Sequence, residues 1–353
     1  MNLFLKSIVP PALPEALNYT RAYLSLRHLS GPKTIRLADN EAAVTCLVRN
    51  GDFYLADFIS HHHKLGFKHI IILDNKSTDS TLRIAKEHHN VSLWQTSLPA
   101  GKYQRLLKAA IARRTIRGGW CADLDIDEFF DFPLSHRISF THFLHYLNTS
   151  GYTAVVTQML DMFTSLPQTE TPLRHDAEHP LASTYDYYDI SSIENISYSC
   201  SELVQQFAKH NILPASASIN LLYGGIRKAL YGLNCLLTKH SLFSMRADLG
   251  LFPHAHFVDR SLIADVTCVL RHYKFTTNAL AIAAQNRESF TVNKKGYQDF
   301  IDFLSVNSNV FAKSREPRRL PTDIADLIPS GFLVASRKYQ EFAAMQSVTA
   351  NRH

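Results

Sequence analysis

The feature that most constrains this chain is a repeated switch, from Ala42 onward, between short apolar runs and stretches of helical periodicity. Ala43 to Val48, His69 to Leu73, Val91 to Trp94 and Trp120 to Ile126 each read as a buried strand, while Tyr54 to Leu65, Thr81 to His88 and Gln104 to Arg117 read as helices between them. Continuous apolar runs bounded by turn residues suit strands covered on both faces. Their alternation with helices predicts an α/β domain with a mainly parallel sheet and flanking helices. The first helix carries its apolar stripe on Leu55, Phe58, Ile59 and His62, and Gly66 is placed to end it. Asp79 or Ser80 can cap the second. In the third, Leu106, Leu107, Ala110, Ile111 and Ile116 oppose Arg105, Lys108, Arg113 and Arg114, and Gly118 and Gly119 stop it. Ligands of open α/β sheets bind outside the carboxyl ends of the strands. Arg49, Asp74 and the acidic run that begins at Asp123 are therefore expected along one rim.

With 46% hydrophobic and 19% charged residues, 353 residues suffice for one large core or two modest ones. Five cysteines without a CxxC pair argue against a disulfide framework or a zinc knuckle, and fit a reducing cytoplasm. Pro10, Pro11 and Pro14 interrupt the N-terminal apolar residues. No run of roughly 18 apolar residues occurs, so a soluble or membrane-peripheral protein is expected. A net charge of +6 and a pI near 9.0 favour anionic partners: nucleotide sugars, acidic glycans, membrane surfaces or nucleic acids. No basic stripe interleaved with aromatics appears, which argues against nucleic acid. Within residues 1–40, Leu13, Ala16, Leu17, Thr20, Tyr23 and Leu24 recur at helical spacing beside Arg21 and Arg27. Such a helix either packs on the main domain or rests on an anionic membrane surface.

The acidic run DLDIDEFF places Asp123, Asp125, Asp127 and Glu128 within six residues. On a strand with a side-chain period of two, Asp125 and Asp127 share a face and can share a divalent cation. Hard oxygen ligands suit Mg2+ or Mn2+ bridging a diphosphate, where the cation acts as a Lewis acid on the leaving group. The competing reading is a solvated acidic turn. The buried strand ahead of the run and Phe129 and Phe130 behind it favour carboxylates that need a counter-charge, with Asp123 structural. In LDNKSTDST, Asp74 can accept from a base N–H or a ribose hydroxyl, with Asn75, Ser77 and Asp79 shaping the loop; the same residues equally describe a capped tight turn. His62 lies on an apolar stripe and reads as a hydrogen-bonded core histidine, so His61 to His63 are not read as a metal site.

VRNGDFYLADFISHHHKLGF, IILDNKSTDST, WCADLDIDEF, QMLDMF, GGIRKALYG, TKHSLFSMR and HFVDRSLIADVTCVLRHYKF follow one another in an order that resembles the family-2-like glycosyltransferases with a D-x-D-E-F motif, over roughly Ala42 to Val306. The resemblance implies a GT-A fold, a nucleotide-sugar donor, Mn2+ or Mg2+, and inversion at the anomeric carbon. It implies that Asp74 meets the nucleobase, that Asp125 and Asp127 meet ribose and metal, and that Arg227 and Lys239 offset the diphosphate charge. Arg49, Asn75, His272 and Lys274 join the donor-binding set, and His256 completes the metal site, with His254 as its rival. Two departures stand near the base pocket: Gly51 where the family has an acidic residue, and Asp57 in place of Glu.

An inverting transfer needs a base near the acceptor hydroxyl. Asp161 in QMLDMF, after the strand Tyr152 to Met159, is the candidate, since desolvation raises a carboxyl pKa. A loop-capping role is the alternative, and Glu202 and Asp248 are rivals. The expected organisation is an N-terminal helical segment over 1–40, a GT-A domain over 41–275 and a C-terminal helical extension over 276–353. That extension carries helices over Thr277 to Arg287 and Tyr297 to Val306, with Lys313 to Pro321 as a linker or surface loop. Thr169 to Ser201 is expected to form loops that contact a glycan or glycolipid acceptor. A binding module without catalysis and a metal-dependent nucleotidyltransferase are the competing functions.

Overall fold

Residues 12–167, 170–173, 180–215, 218–289, 294–306 and 309–350 are described by a computed structural model. Pro10 and Pro11, the side chain of Leu13 and parts of the predicted acceptor loops, including Thr169, lie outside the described residues.

The apolar runs build a nine-stranded sheet. Its members are β1 (Arg27–Ser30), β2 (Ala42–Val48), β3 (His69–Asp74), β4 (Val91–Gln95), β5 (Trp120–Asp123), β6 (Glu128–Asp131), β7 (Ala154–Asp161), β8 (Thr238–Ser244) and β9 (Cys268–His272). Across the sheet the order is β1-β4-β3-β2-β5-β8-β7-β9-β6. β2 to β5 are mutually parallel, β8 opposes both its neighbours, and β7 and β9 run parallel to each other. β7 and β9 therefore point the same way as β2 to β5, and six carboxyl ends share one rim; β1 and β6 are antiparallel edges.

Both faces are covered, as continuous apolar strands require. Along β3, Ile70 and Ile72 feed one core and Ile71 and Leu73 the other. On the first face lie α2 (Asp52–Leu65), α3 (Thr81–Glu87), α5 (Phe140–Thr149) and, against α5, α8 (Arg337–Ala350). α2 buries Tyr54, Leu55, Phe58, Ile59 and His62, and Gly66 ends it at φ 116° with its N–H on the carbonyls of His62 and His63. Ahead of α3, Asp79 accepts the Thr81 N–H at 3.0 Å, the expected cap.

The other face carries α4 (Ala100–Thr115), with α1 (Ala12–Ser25) packed on it. α1 is a packed helix, but its stripe is not the predicted one. Ala22 and Leu26 are buried with Tyr19 and Tyr23 against them, while Leu17 and Leu24 stand 64% and 74% exposed. The spacing fits both faces, and contact with α4 selects the one with the aromatic rings. α6 (Ala279–Ser289) and α7 (Lys294–Val306) pair through a small core of Phe275, Ala279, Ala283, Phe300 and Phe303. No helix among the described residues is long and apolar enough to cross a membrane.

Two strand expectations change. Trp120 to Ile126 is strand only to Asp123; the Leu124 N–H makes the last bond to β2, at Thr45, and Asp125 to Glu128 is a turn closed by the Glu128 N–H on the Asp125 carbonyl at 3.0 Å. Leu124 to Asp127 then carry the chain across the rim from mid-sheet to the β6 edge. Within Thr169 to Ser201, Ile193–Ser197 is a strand, paired with Asn220–Gly224.

Candidate active site

The carboxyl ends of β2, β5 and β9 border a cleft of about 320 Å³. β2 and the residues after it contribute Leu47, Val48, Arg49 and Asn50; Asn75 follows β3; α4 gives Ala100, Gln104 and Lys108; and the turn gives Asp125, Ile126 and Asp127. Lys239, His256, His272 and Lys274 come from the other half of the sheet, and Ile282, Gln285, Asn286 and Tyr297 from α6 and α7. Eight of the predicted site residues therefore meet here: Arg49, Asn75, Asp125, Asp127, Lys239, His256, His272 and Lys274. Asp74, Asp161 and Arg227 do not line it.

Asp125 and Asp127 reach the cleft from the turn, not from one strand face, which corrects the period-two expectation. Asp125 is held at both oxygens, by Lys108 Nζ at 2.9 Å and Lys239 Nζ at 2.7 Å. Lys108 also meets Asp123 at 2.7 Å, and Lys239 meets Glu128 at 2.5 Å. Burial pushes the Asp125 carboxyl up, but the two ammonium groups overcome it and hold it well below the usual range. Burial would likewise lower both lysines, and the carboxylates raise them instead. For Asp123 and Glu128 burial wins and the pKa rises. Lys239 thus offsets protein carboxylates, and Lys108, expected on a polar helix face, is 2% exposed. The requirement that buried carboxylates find a counter-charge was the signal that could have found it.

A second network runs behind the cleft. Arg227 Nε and Nη2 each donate to Asp161 at 2.7 Å, and His272 Nδ1 lies 2.6 Å from Asp161. His272 Nε2 faces Asp127 at 3.3 Å. Burial and Arg227 oppose charge on His272, but Asp127 and Asp161 outweigh them and raise its pKa. Burial also acts to raise Asp161, yet Arg227 and His272 hold it far below the carboxylate range. That reverses the expected shift and removes the basis for Asp161 as the base. A buried carboxylate gripped by a guanidinium is a poor proton acceptor. Arg227 is correspondingly committed to Asp161 and is not directed at a diphosphate. Asp248 is paired with Arg246 on the surface, and neither it nor Glu202 lines the cleft.

Asp74 is fully buried. Its oxygens accept the Lys76 and Ser77 N–H groups at 3.0 Å each and Gln95 Nε2 at 2.9 Å, the arrangement of a capped turn. Asn75 lies at the cleft and donates to the carbonyls of Thr96 and Leu98. Gly51, the first departure from the family pattern, has no room for a side chain: a Cβ would stand 2.5 Å from Val48 Cγ2 and 3.1 Å from Ile126 Cγ1. His62 is the core histidine expected, using Nδ1 with the Phe58 carbonyl and Nε2 with the Phe130 N–H.

His256 Nδ1 lies 3.1 Å from the Thr238 carbonyl. A carbonyl only accepts, so Nδ1 carries the proton. Burial and Lys239 keep the ring neutral, which leaves Nε2 as a bare lone pair. His254 does not line the cleft. Lys274 Nζ stands over the Tyr297 and Phe300 rings at 5.7 and 5.5 Å, and burial lowers its pKa. Neither Lys274 nor the exposed Arg49 has a carboxylate within ion-pair distance among the described residues. Nor do three His, Cys, Asp or Glu side chains among the described residues stand as a group that could hold a metal ion.

No family model matches the chain, and no curated protein matches it. Among solved structures, S. aureus TarS aligns with 78% of this chain and 44% of its own at 11% identity and a TM-score of 0.33. The mannosyltransferase PcManGT from Pyrobaculum calidifontis, in complex with GDP-Man and Mn2+, aligns over 40% of this chain and 42% of its own at 18% identity and a TM-score of 0.27. The chain spans less than half the length of each.

Proposed function

We propose that the cleft binds a nucleoside diphosphate sugar and that the protein is a GT-A glycosyltransferase, moving the sugar to a hydroxyl of a glycan or glycolipid acceptor. The observation that carries this reading is the company the turn keeps. Two carboxylates and a neutral imidazole share one cleft with two cations that have no carboxylate partner among the described residues, at the carboxyl rim where α/β sheets take ligands. An Mg2+ or Mn2+ ion would take Asp125, Asp127 and His256 as ligands; in this structure the three do not stand as a ready group, and a cation reaching Asp125 would have to displace Lys108 and Lys239. When bound, such an ion supplies Lewis-acid stabilisation to the departing diphosphate.

The protein's own groups do the rest. Lys274 and Arg49 offset phosphate charge, and the Gln104 amide and the Asn75 Oδ1 acceptor offer hydrogen bonds to the nucleoside. Asp161 acts as a positioning residue: with Arg227 it fixes the His272 ring, whose Nε2 faces Asp127. Inversion is proposed on the family resemblance alone. Exposed Leu17 and Leu24 on α1, with Arg21 between them, favour peripheral contact with an anionic membrane surface. The test of the main reading is a panel of nucleotide sugars screened with Mn2+ for thermal stabilisation. One donor should raise the melting temperature by mass action; a flat panel contradicts the reading.

A further inference from the structure

Resting on that reading, we infer that α6 is a wall of the nucleotide site and that Gln285 is the positioning residue that ties it to the donor-binding loops. Asn50, two residues past β2, takes a left-handed φ of 55°, a conformation that asparagine tolerates better than most non-glycine residues. Its N–H donates to Ser77 Oγ at 2.8 Å, and its Oδ1 accepts the Thr78 N–H at 2.8 Å, which locks the loops after β2 and β3 together. The amide nitrogen of this side chain reaches the opposite wall. Asn50 Nδ2 donates to Gln285 Oε1 at 2.8 Å, and Gln285 Nε2 donates in return to the Arg49 carbonyl at 2.9 Å.

A single amide from α6 therefore uses its donor and its acceptor on two consecutive residues at the mouth of the cleft. Arg49 is exposed, and its guanidinium has no hydrogen bond or ion pair to the described residues, so its aim is set by the backbone that Gln285 grips. The C-terminal helices are thus part of the site and not an appendage to it. An open α/β crevice leaves a nucleoside exposed on one side, and α6 closes that side through this tie.

The experiment is calorimetric titration of the full chain with UDP, and in parallel GDP, at fixed Mn2+, for the wild type, Gln285→Ala, Gln285→Glu, Asn50→Asp and the Asn50→Asp/Gln285→Ala pair. Gln285→Glu keeps the size of the side chain and an acceptor for Asn50 but cannot donate to the Arg49 carbonyl. Asn50→Asp keeps the bond from Thr78 and loses the donor to Gln285. Each single change should weaken nucleotide binding about tenfold, and the double no further than the worse single. Melting temperature without nucleotide and kcat at saturating donor should stay unchanged, with the loss confined to Kd and KM, a split that a merely structural role would not give. Wild-type affinity in both Gln285 variants, or a loss matched by a fall in melting temperature in both, overturns the inference. A wild type that binds neither nucleotide overturns the nucleotide reading itself, so the two failures are distinct.

Discussion

Replacing Lys108 by Met isolates the charge balance beneath the cleft. The side chain is 2% exposed and its ammonium sits 2.7 Å from Asp123 and 2.9 Å from Asp125. Met fills much of the same volume, so the change removes a charge and leaves little cavity. Asp125 keeps Lys239, whereas Asp123, itself 4% exposed, keeps among the described residues only the Thr45 hydroxyl at 3.3 Å. Removing one partner from a buried pair typically costs about 3–5 kcal/mol, because the survivor is left uncompensated. The Asp123 carboxyl is already raised by burial, and losing Lys108 raises it further above its unfolded value. A carboxyl bound to a proton in the fold and not in the unfolded chain makes stability rise as pH falls. Urea denaturation at pH 7 should therefore show a loss of several kcal/mol that shrinks towards pH 5, and Asp123→Asn in the same background should restore most of it. A loss below about 1 kcal/mol, the range of exposed ion pairs, or one that ignores pH, would refute the argument.

Asp161→Asn should act on the fold before it acts on chemistry. It strips Arg227 of a bidentate partner inside the protein, for a cost on the order of 3–5 kcal/mol in urea, and a stable variant with only a slower rate would restore Asp161 as a candidate base. Acid should destabilise the protein through its neutral histidines. Burial lowers His62 to about 3 and His69 and His240 to about 4, so below about pH 6.5 the unfolded chain takes up protons that the fold refuses, and the urea midpoint should drop from there towards pH 4. His272 has the opposite sign: its raised pKa gives stability that is full below about 6.5 and is lost as pH climbs through the folded value. A midpoint that stays level from pH 6.5 to 4.5 would contradict both the burial and the sign. Leu17→Ser with Leu24→Ser should reduce co-sedimentation with anionic liposomes without changing stability, and retention equal to wild type would remove α1 as a membrane contact.

The parallel half of the sheet was legible because its signals are local. Ile70 to Leu73 need cover on both faces whatever surrounds them, Gly66 ends α2 by its own backbone, and Asp79 caps α3 from two residues away. The acidic turn was legible as composition and not as geometry: carrying the β5 period past Leu124 put Asp125 and Asp127 on a strand that had already ended. Asp74 was read both as a ligand and as a turn cap, and only the donors from Lys76, Ser77 and Gln95 make the turn visible. What stayed hidden depends on partners far along the chain. Arg227 finds Asp161 across 66 positions and Gln285 finds Asn50 across 235, and no spacing within either segment announces such a pair. The direction of the Asp161 pKa was lost for the same reason: its apolar neighbours in sequence predict desolvation, while its neighbours in space are a guanidinium and an imidazole.

The most direct test of the central claim is to identify what leaves the donor. The wild type and Asp127→Asn would be incubated with Mn2+, the stabilising nucleotide sugar and a hydroxyl acceptor, and the released nucleotide identified by mass spectrometry. Asp127 is partly exposed at the cleft and sits against His272, so Asn should spare the fold. The wild type should release nucleoside diphosphate and the variant none, and the variant should also lose stabilisation by donor and metal. Release of pyrophosphate would make the protein a nucleotidyltransferase, and equal turnover by Asp127→Asn at limiting Mn2+ would place the chemistry elsewhere.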